Sequence, residues 1–185
     1  ELWALEVGTA GIVLNDDIDA GGVGLDTYSG LQFNADVFTN GGALEANASD
    51  NITFSAAGKI DLEASSTPAN WPYIGLTAGL DIVMADGSAM NARGGSVDLL
   101  ADGNIRVSTL VGNWTVELFA DGWISDGTSG LGGNLITAGA LWVTSGGTVD
   151  LRFDAEWLGT DTTANDTAQF LEEVDEVTLA GGGLL

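Results

Sequence analysis

The chain has 185 residues, 45% of them hydrophobic, with 4 lysines and arginines against 27 acids and a net charge of −23. That length suffices for one large domain, and that charge repels nucleic acid and anionic membrane, so neither is an expected partner. Cysteine and histidine are absent, which excludes disulfides, thiolate and imidazole metal sites, cysteine nucleophiles and histidine general bases. No run approaches the ~18 apolar residues of a membrane helix. No basic segment precedes an apolar one as in a signal peptide, and Glu1 is not an initiator methionine, so a processed chain or a piece of a longer one is expected. Missing disulfides do not argue against a secreted protein when stacking supplies the buried area.

In chain order, the head reads Glu1-Leu2-Trp3-Ala4-Leu5. Next comes the acidic Asn15-Asp16-Asp17-Ile18-Asp19, which lacks the spacing of an EF-hand loop. Gly22 to Phe33 and Gly41 to Ser55 are two copies of one pattern, offset by 21 positions, and Ile60-Asp61-Leu62-Glu63-Ala64 reads as a half-copy. Residues 65–74, with both prolines, should form a loop bulging from the wall, because proline cannot donate to a central ladder. The clearest copy runs from Gly94 to Ser108. Leu44, Ala46, Ala48, Ile52 and Phe54 align without a gap on Val97, Leu99, Ala101, Ile105 and Val107. Thr115 to Ile124 repeats the pattern 19 positions after Val97-centred residues, and a weaker copy begins at Gly146-Gly147-Thr148-Val149. Residues 159–178 break the pattern; Asp166 is a fair N-cap with Gln169 three residues on, which suits a short helix or an irregular loop.

A unit of about 20 residues cannot bury its own core, so neighbouring copies must supply it. Val97-Asp98-Leu99-Leu100-Ala101 and Val116-Glu117-Leu118-Phe119-Ala120 alternate as strands. Each ends at a glycine-bearing turn, Asp102-Gly103 or Asp121-Gly122. The expected fold is all-β: a parallel β-solenoid, or β-helix, with residues 1–185 as a single domain. An antiparallel sandwich is the rival, but gap-free copies favour stacked coils.

The termini suggest a longer period. Joined end to start, Gly182-Gly183-Leu184-Leu185 and Glu1-Leu2-Trp3-Ala4 reproduce Gly94 to Ala101, with the tail supplying the first half of a coil and the head the second. These residues, with Leu5, form the expected assembly interface, and the chain is expected to be one period of a longer array. Its partners would be copies of itself, in tandem or head to tail.

The pattern Gly-Gly-x-Val-x-Leu-x-Ala-x-Gly-x-Ile-x-Val resembles the repeat regions of filamentous-haemagglutinin-like exoproteins and related large bacterial adhesins, over residues 8–64 and 75–158. The resemblance implies a right-handed parallel β-helix in a secreted or surface-attached stalk without chemistry of its own. That family's secretion domain, with its Asn-Pro-Asn motifs, has no match here.

Several residue sets bear on binding. Gly21 to Ser29 fits one calcium-binding β-roll nonapeptide, with Asp26 as its acid, but the next nine residues do not. Asp98 and Glu117 should hold one outward place in successive coils, as should Asp102 and Asp121. At sheet spacing such a pair repels by roughly 0.9 kcal/mol in a water-like dielectric. Bound Ca²⁺ would reverse that sign; a solvated acidic face that deters lateral pairing is the alternative. No other cofactor is expected. Trp71 with Tyr73 is the best carbohydrate platform, whereas Trp114, Trp123 and Trp142 suit core packing or cross-coil stacking. Sequons at Asn47, Asn51, Asn113 and Asn165 carry little weight in a chain so rich in serine and threonine. The only bases are Lys59, Arg93, Arg106 and Arg152, the last two pointing outward toward acids, so no catalytic residue is assigned and no enzyme is expected. The function expected is a structural or adhesive self-assembling unit of an extracellular filament or cell-surface protein, touching a host surface or polysaccharide. A carbohydrate- or calcium-binding module on the same scaffold is the alternative.

Overall fold

The computed structural model describes the backbone of residues 2–6, 10–40, 42–62, 72–127, 135–147, 149–159 and 176–179. Side chains are described at these positions except 3–6, 152–159 and 176–179. Among the described residues every regular element is a strand, and the strands, numbered in chain order, stack into three columns. The first column holds β1 (Leu2–Glu6), β4 (Val23–Thr27), β7 (Leu44–Ala48), β10 (Tyr73–Ala78) and β13 (Ser96–Ala101). The second halves of β15 (Thr109–Ala120) and β17 (Ile136–Ser145) continue it. In the second column are β2 (Ile12–Leu14), β5 (Leu31–Phe33), β8 (Ile52–Phe54), β11 (Ile82–Met84), β14 (Ile105–Arg106) and β16 (Ile124–Ser125). It goes on through the start of β18 (Val149–Gly159) to β19 (Glu176–Leu179). The third column holds β3 (Ile18–Ala20), β6 (Asp36–Thr39), β9 (Lys59–Leu62), β12 (Ala89–Ala92), the first halves of β15 and β17, and the middle of β18 at 153–155, while the end of β18 at 157–159 pairs in the first column. Every pairing is parallel. The fold is a β-solenoid, as the gap-free copies predict.

Alternation fixes which residues face in. Leu44, Ile74, Val97, Val116 and Leu141 stack in one inward row, and Ala46, Leu76, Leu99, Leu118 and Val143 in the next. All ten are buried. Each Leu or Ile removed from water contributes about 1.5–3 kcal/mol. In the second column Ile52, Ile82, Ile105 and Ile124 continue the core. Phe33 stacks on Phe54 with ring centroids 4.5 Å apart and planes 5° from parallel.

Two corner devices explain the punctuation in the repeat. In the pairs at 41–42 and 94–95 the second glycine sits where the previous coil's backbone comes closest. A Cβ on Gly42 would lie 1.7 Å from the Gly21 carbonyl oxygen, and one on Gly95 would lie 1.7 Å from that of Pro72. At the next corner the residue preceding each inward isoleucine forms a ladder. Asn51 Oδ1 accepts from the Asp81 backbone N–H at 2.9 Å, Asp81 Oδ1 from the Asn104 N–H at 2.7 Å, and Asn104 Oδ1 from the Trp123 N–H at 3.0 Å. These bonds satisfy donors that leave the strands at the bend.

The structure corrects several sequence expectations. The half-copy at Ile60 lies in the third column, paired with Met90, and the copy at Val149 lies in the second, paired with Ile124; neither joins Val97. An alternating strand satisfies the same pattern in any column, which is why sequence spacing misassigned both. The expected loop 65–74 ends earlier. Pro72 is buried, its carbonyl accepts from the Ser96 N–H, and Tyr73 and Ile74 belong to β10. The Pro72 carbonyl carries the bond to the next coil, and the N–H that proline lacks is the one its counterpart Gly95 donates to Ala92 within its own turn. Gly159 closes β18, and 176–178 fall in β19, paired with β18, instead of loop or helix. The helix expected after Asp166 lies outside the described residues. The head is also shifted: Leu2 pairs with Val23, which leads through Leu44 and Ile74 to Val97, so Leu2 takes the Val97 place and not that of Leu99. The head fills its strand unaided, and the tail is not needed for its first half. Glu1 and Gly182, Gly183, Leu184 and Leu185 lie outside the described residues.

Candidate functional site

The outer surface of the first column is hollowed into an open groove of about 800 Å³. Two outward rows line it. One runs Glu45, Gly75, Asp98, Glu117, Trp142, and the other Asn47, Thr77, Leu100, Phe119, Thr144, each in register from β7 to β17. Leu100 and Phe119 are 40% and 43% exposed, large apolar surfaces left in water. Four strand spacings separate the ends of these rows, roughly 19 Å.

Tyr73 shapes the middle. Gly75 leaves a gap in the row of outward side chains, and the Tyr73 ring fills it: a Cβ on Gly75 would lie 2.6 Å from the Tyr73 hydroxyl oxygen and 2.7 Å from Cε1. The half-buried ring therefore lies across its own strand, and its hydroxyl donates to the Asp98 carboxylate. Burial, then the charge of Asp98 and the hydrogen bond to it, then Glu45 and Glu117, push the Tyr73 hydroxyl up to about 12. Asp98 is itself raised by burial, against which the Tyr73 hydrogen bond pulls down. Its Oδ1 is buried and accepts no hydrogen bond from the described residues. A buried carboxylate oxygen without a donor calls for one.

The structure brings some of the expected residues together. Asp98 and Glu117 are in register, as predicted, and Glu45 joins their row. Asp102 and Asp121 follow the paired Ala101 and Ala120 and are exposed. Asp26 stands elsewhere in the column and accepts from Asn47 Nδ2 at 2.7 Å. Its nonapeptide forms no turn around an ion, because Val23–Thr27 is the strand β4 with Val23, Gly24 and Leu25 buried. Among the described residues no group of three or more carboxylates converges to hold a metal. Tyr73 lines the groove, whereas Trp71 lies outside the described residues. Trp114 and Trp123 are 54% and 41% exposed, and Trp142 is half-buried in the groove, so of the two expected roles, core packing and cross-coil stacking, the first does not hold for any of the three.

Arg93 grips Asp61 with both Nε and Nη2, at 2.9 and 2.6 Å, and Arg106 meets Asp86 at 2.8 Å. Arg106 thus pairs outward as predicted; the Arg152 side chain lies outside the described residues. The groove lining holds no lysine or arginine. Sequence reasoning missed Glu45, Phe119 and Trp142 as groove residues. Their signal is the outward row itself, visible once each coil is placed in register. Comparison with protein-family models, curated proteins and solved structures finds no match.

Proposed function

We propose that this chain is a structural and adhesive unit of an extracellular fibre or large surface protein, extended by further solenoid coils, in the manner of the adhesin-like repeats it resembles. One observation carries the reading. In the second coil the inward residues Leu31, Phe33, Val37 and Thr39 are 0–1% exposed, whereas their counterparts in the first coil, Ile12, Leu14, Ile18 and Ala20, are only partly buried. Core-type side chains are therefore left partly uncovered at that end, and β1, β2 and β3 each pair on one side only among the described residues. An uncovered solenoid end of this kind supports the stacking of a further coil on it.

The edge can be blocked without touching the interior. The Ile12 N–H donates to Gly30 and the Asn34 N–H to the Leu14 carbonyl, so the alternate residue Val13, 48% exposed, turns its N–H and C=O to the free edge. Sedimentation velocity on the purified chain should show association that grows with concentration. Val13→Pro, which removes the edge donor, and Val13→Lys, which places a charge there, should both give a folded monomer. A wild-type chain that stays monomeric at every concentration, or variants that associate equally well, would overturn the reading.

A further inference from the structure

We propose that the groove along the first column is a binding site for a neutral polysaccharide strand lying along the solenoid axis. The lining alternates two kinds of surface. Tyr73, Phe119 and Trp142, with Leu100, offer apolar faces, and Glu45, Asp98, Glu117, Thr77 and Thr144 offer oxygen acceptors between them. A hexopyranose has the matching structure: an apolar face of C–H bonds, which lies on an aromatic ring, and a rim of hydroxyl donors. The Tyr73 ring is already set flat across its strand by the Gly75 gap, so little side-chain entropy is lost when a ligand covers it. Asp98 itself is only half-buried and lines the groove, so its carboxylate is one of the acceptors that face a sugar hydroxyl there.

Charge and size select the class. Three carboxylates in one row, in a chain of net charge −23, exclude uronate and sulfated glycans. The acceptor-rich, base-free lining suits a donor-rich neutral chain. The length of about 19 Å accepts several sugar units instead of one, and about 800 Å³ lies within the range of ligand sites. A basic peptide would also satisfy the carboxylates, but it makes no use of flat aromatic faces spaced along the axis as a sugar chain does. The site is separate from the solenoid ends and does not depend on their stacking.

The test uses the Val13→Pro monomer beside the full wild-type chain, so that loss of assembly and loss of binding are read apart. Isothermal titration calorimetry would present cellohexaose, mannohexaose and chitohexaose as neutral probes, with oligogalacturonate and octa-lysine as the charged alternatives. Saturable binding of at least one neutral probe, and none of oligogalacturonate, is expected in both proteins. Tyr73→Ala and Trp142→Ala should each weaken it about three- to tenfold, in line with the value of a stacked aromatic face. Trp142→Phe should retain most of the affinity, and Asp98→Asn should weaken binding while leaving the fold intact by circular dichroism. Binding of octa-lysine alone would make the groove a basic-peptide site and overturn the proposal. So would failure of all three neutral probes, or ring-deleted variants that bind as well as the parent.

Discussion

Truncating Phe33 to alanine tests whether the stacked interior stabilises the chain as the geometry implies. Phe33 is fully buried, and its ring lies on that of Phe54 in the next coil at 4.5 Å and 5°. Removing a buried phenylalanine costs about 3–5 kcal/mol through lost transfer energy and the cavity left behind. Whole domains are held by about 5–15 kcal/mol, so the loss is a large share. For a chain of this size it corresponds to a fall in Tm of roughly 10 °C. Part of the loss belongs to the ring pair itself, and a double-mutant cycle isolates that part. Phe33→Leu and Phe54→Leu, singly and together, should show a coupling of about 0.5–1.5 kcal/mol in urea denaturation followed by circular dichroism. A loss below about 1 kcal/mol in Phe33→Ala, or no coupling in the cycle, would refute the stacked arrangement of the second column.

Gly95→Ala should destabilise the chain by about 2 kcal/mol or more, because its Cβ would press on the Pro72 carbonyl and the backbone must move; thermal melting reads this directly. Asn104→Ala deletes the acceptor for the Trp123 N–H and should cost about 1–3 kcal/mol by urea denaturation. Absorbance titration of the two tyrosines should show one step near pH 12 that disappears in Tyr73→Phe. Since the folded hydroxyl holds its proton to higher pH than an ordinary tyrosine, which titrates near 10, stability should fall as pH rises between 10 and about 12. The Tyr73→Phe variant should lose that decline.

The fold was legible in the sequence because a solenoid writes its contacts as a local repeat. Leu44, Val97 and Val116 stand in one inward row, as gap-free alignment predicts, and the glycine pairs mark corners where backbones crowd. Legibility ended where coils change length. The segment 63–71 hid the coil of Tyr73 to Ala92, and 128–134 separated Trp142 from Glu117, its neighbour across the strands. The head slipped by two residues, from the Leu99 place to that of Val97, because a two-residue shift keeps every side chain on its own face. The groove was hidden for a further reason. Asp98 and Glu117 could be matched by eye, but the groove depends on what is missing between Glu45 and Asp98. Only the structure shows the Tyr73 ring lying over Gly75.

Electron microscopy of the purified chain at high concentration tests most directly whether coil stacking continues past the exposed first coil. Continued stacking gives rods that lengthen with concentration and diffract with an axial spacing of about 4.8 Å, and that vanish in Val13→Pro. Particles of one size and no axial order, unchanged by that substitution, would contradict it.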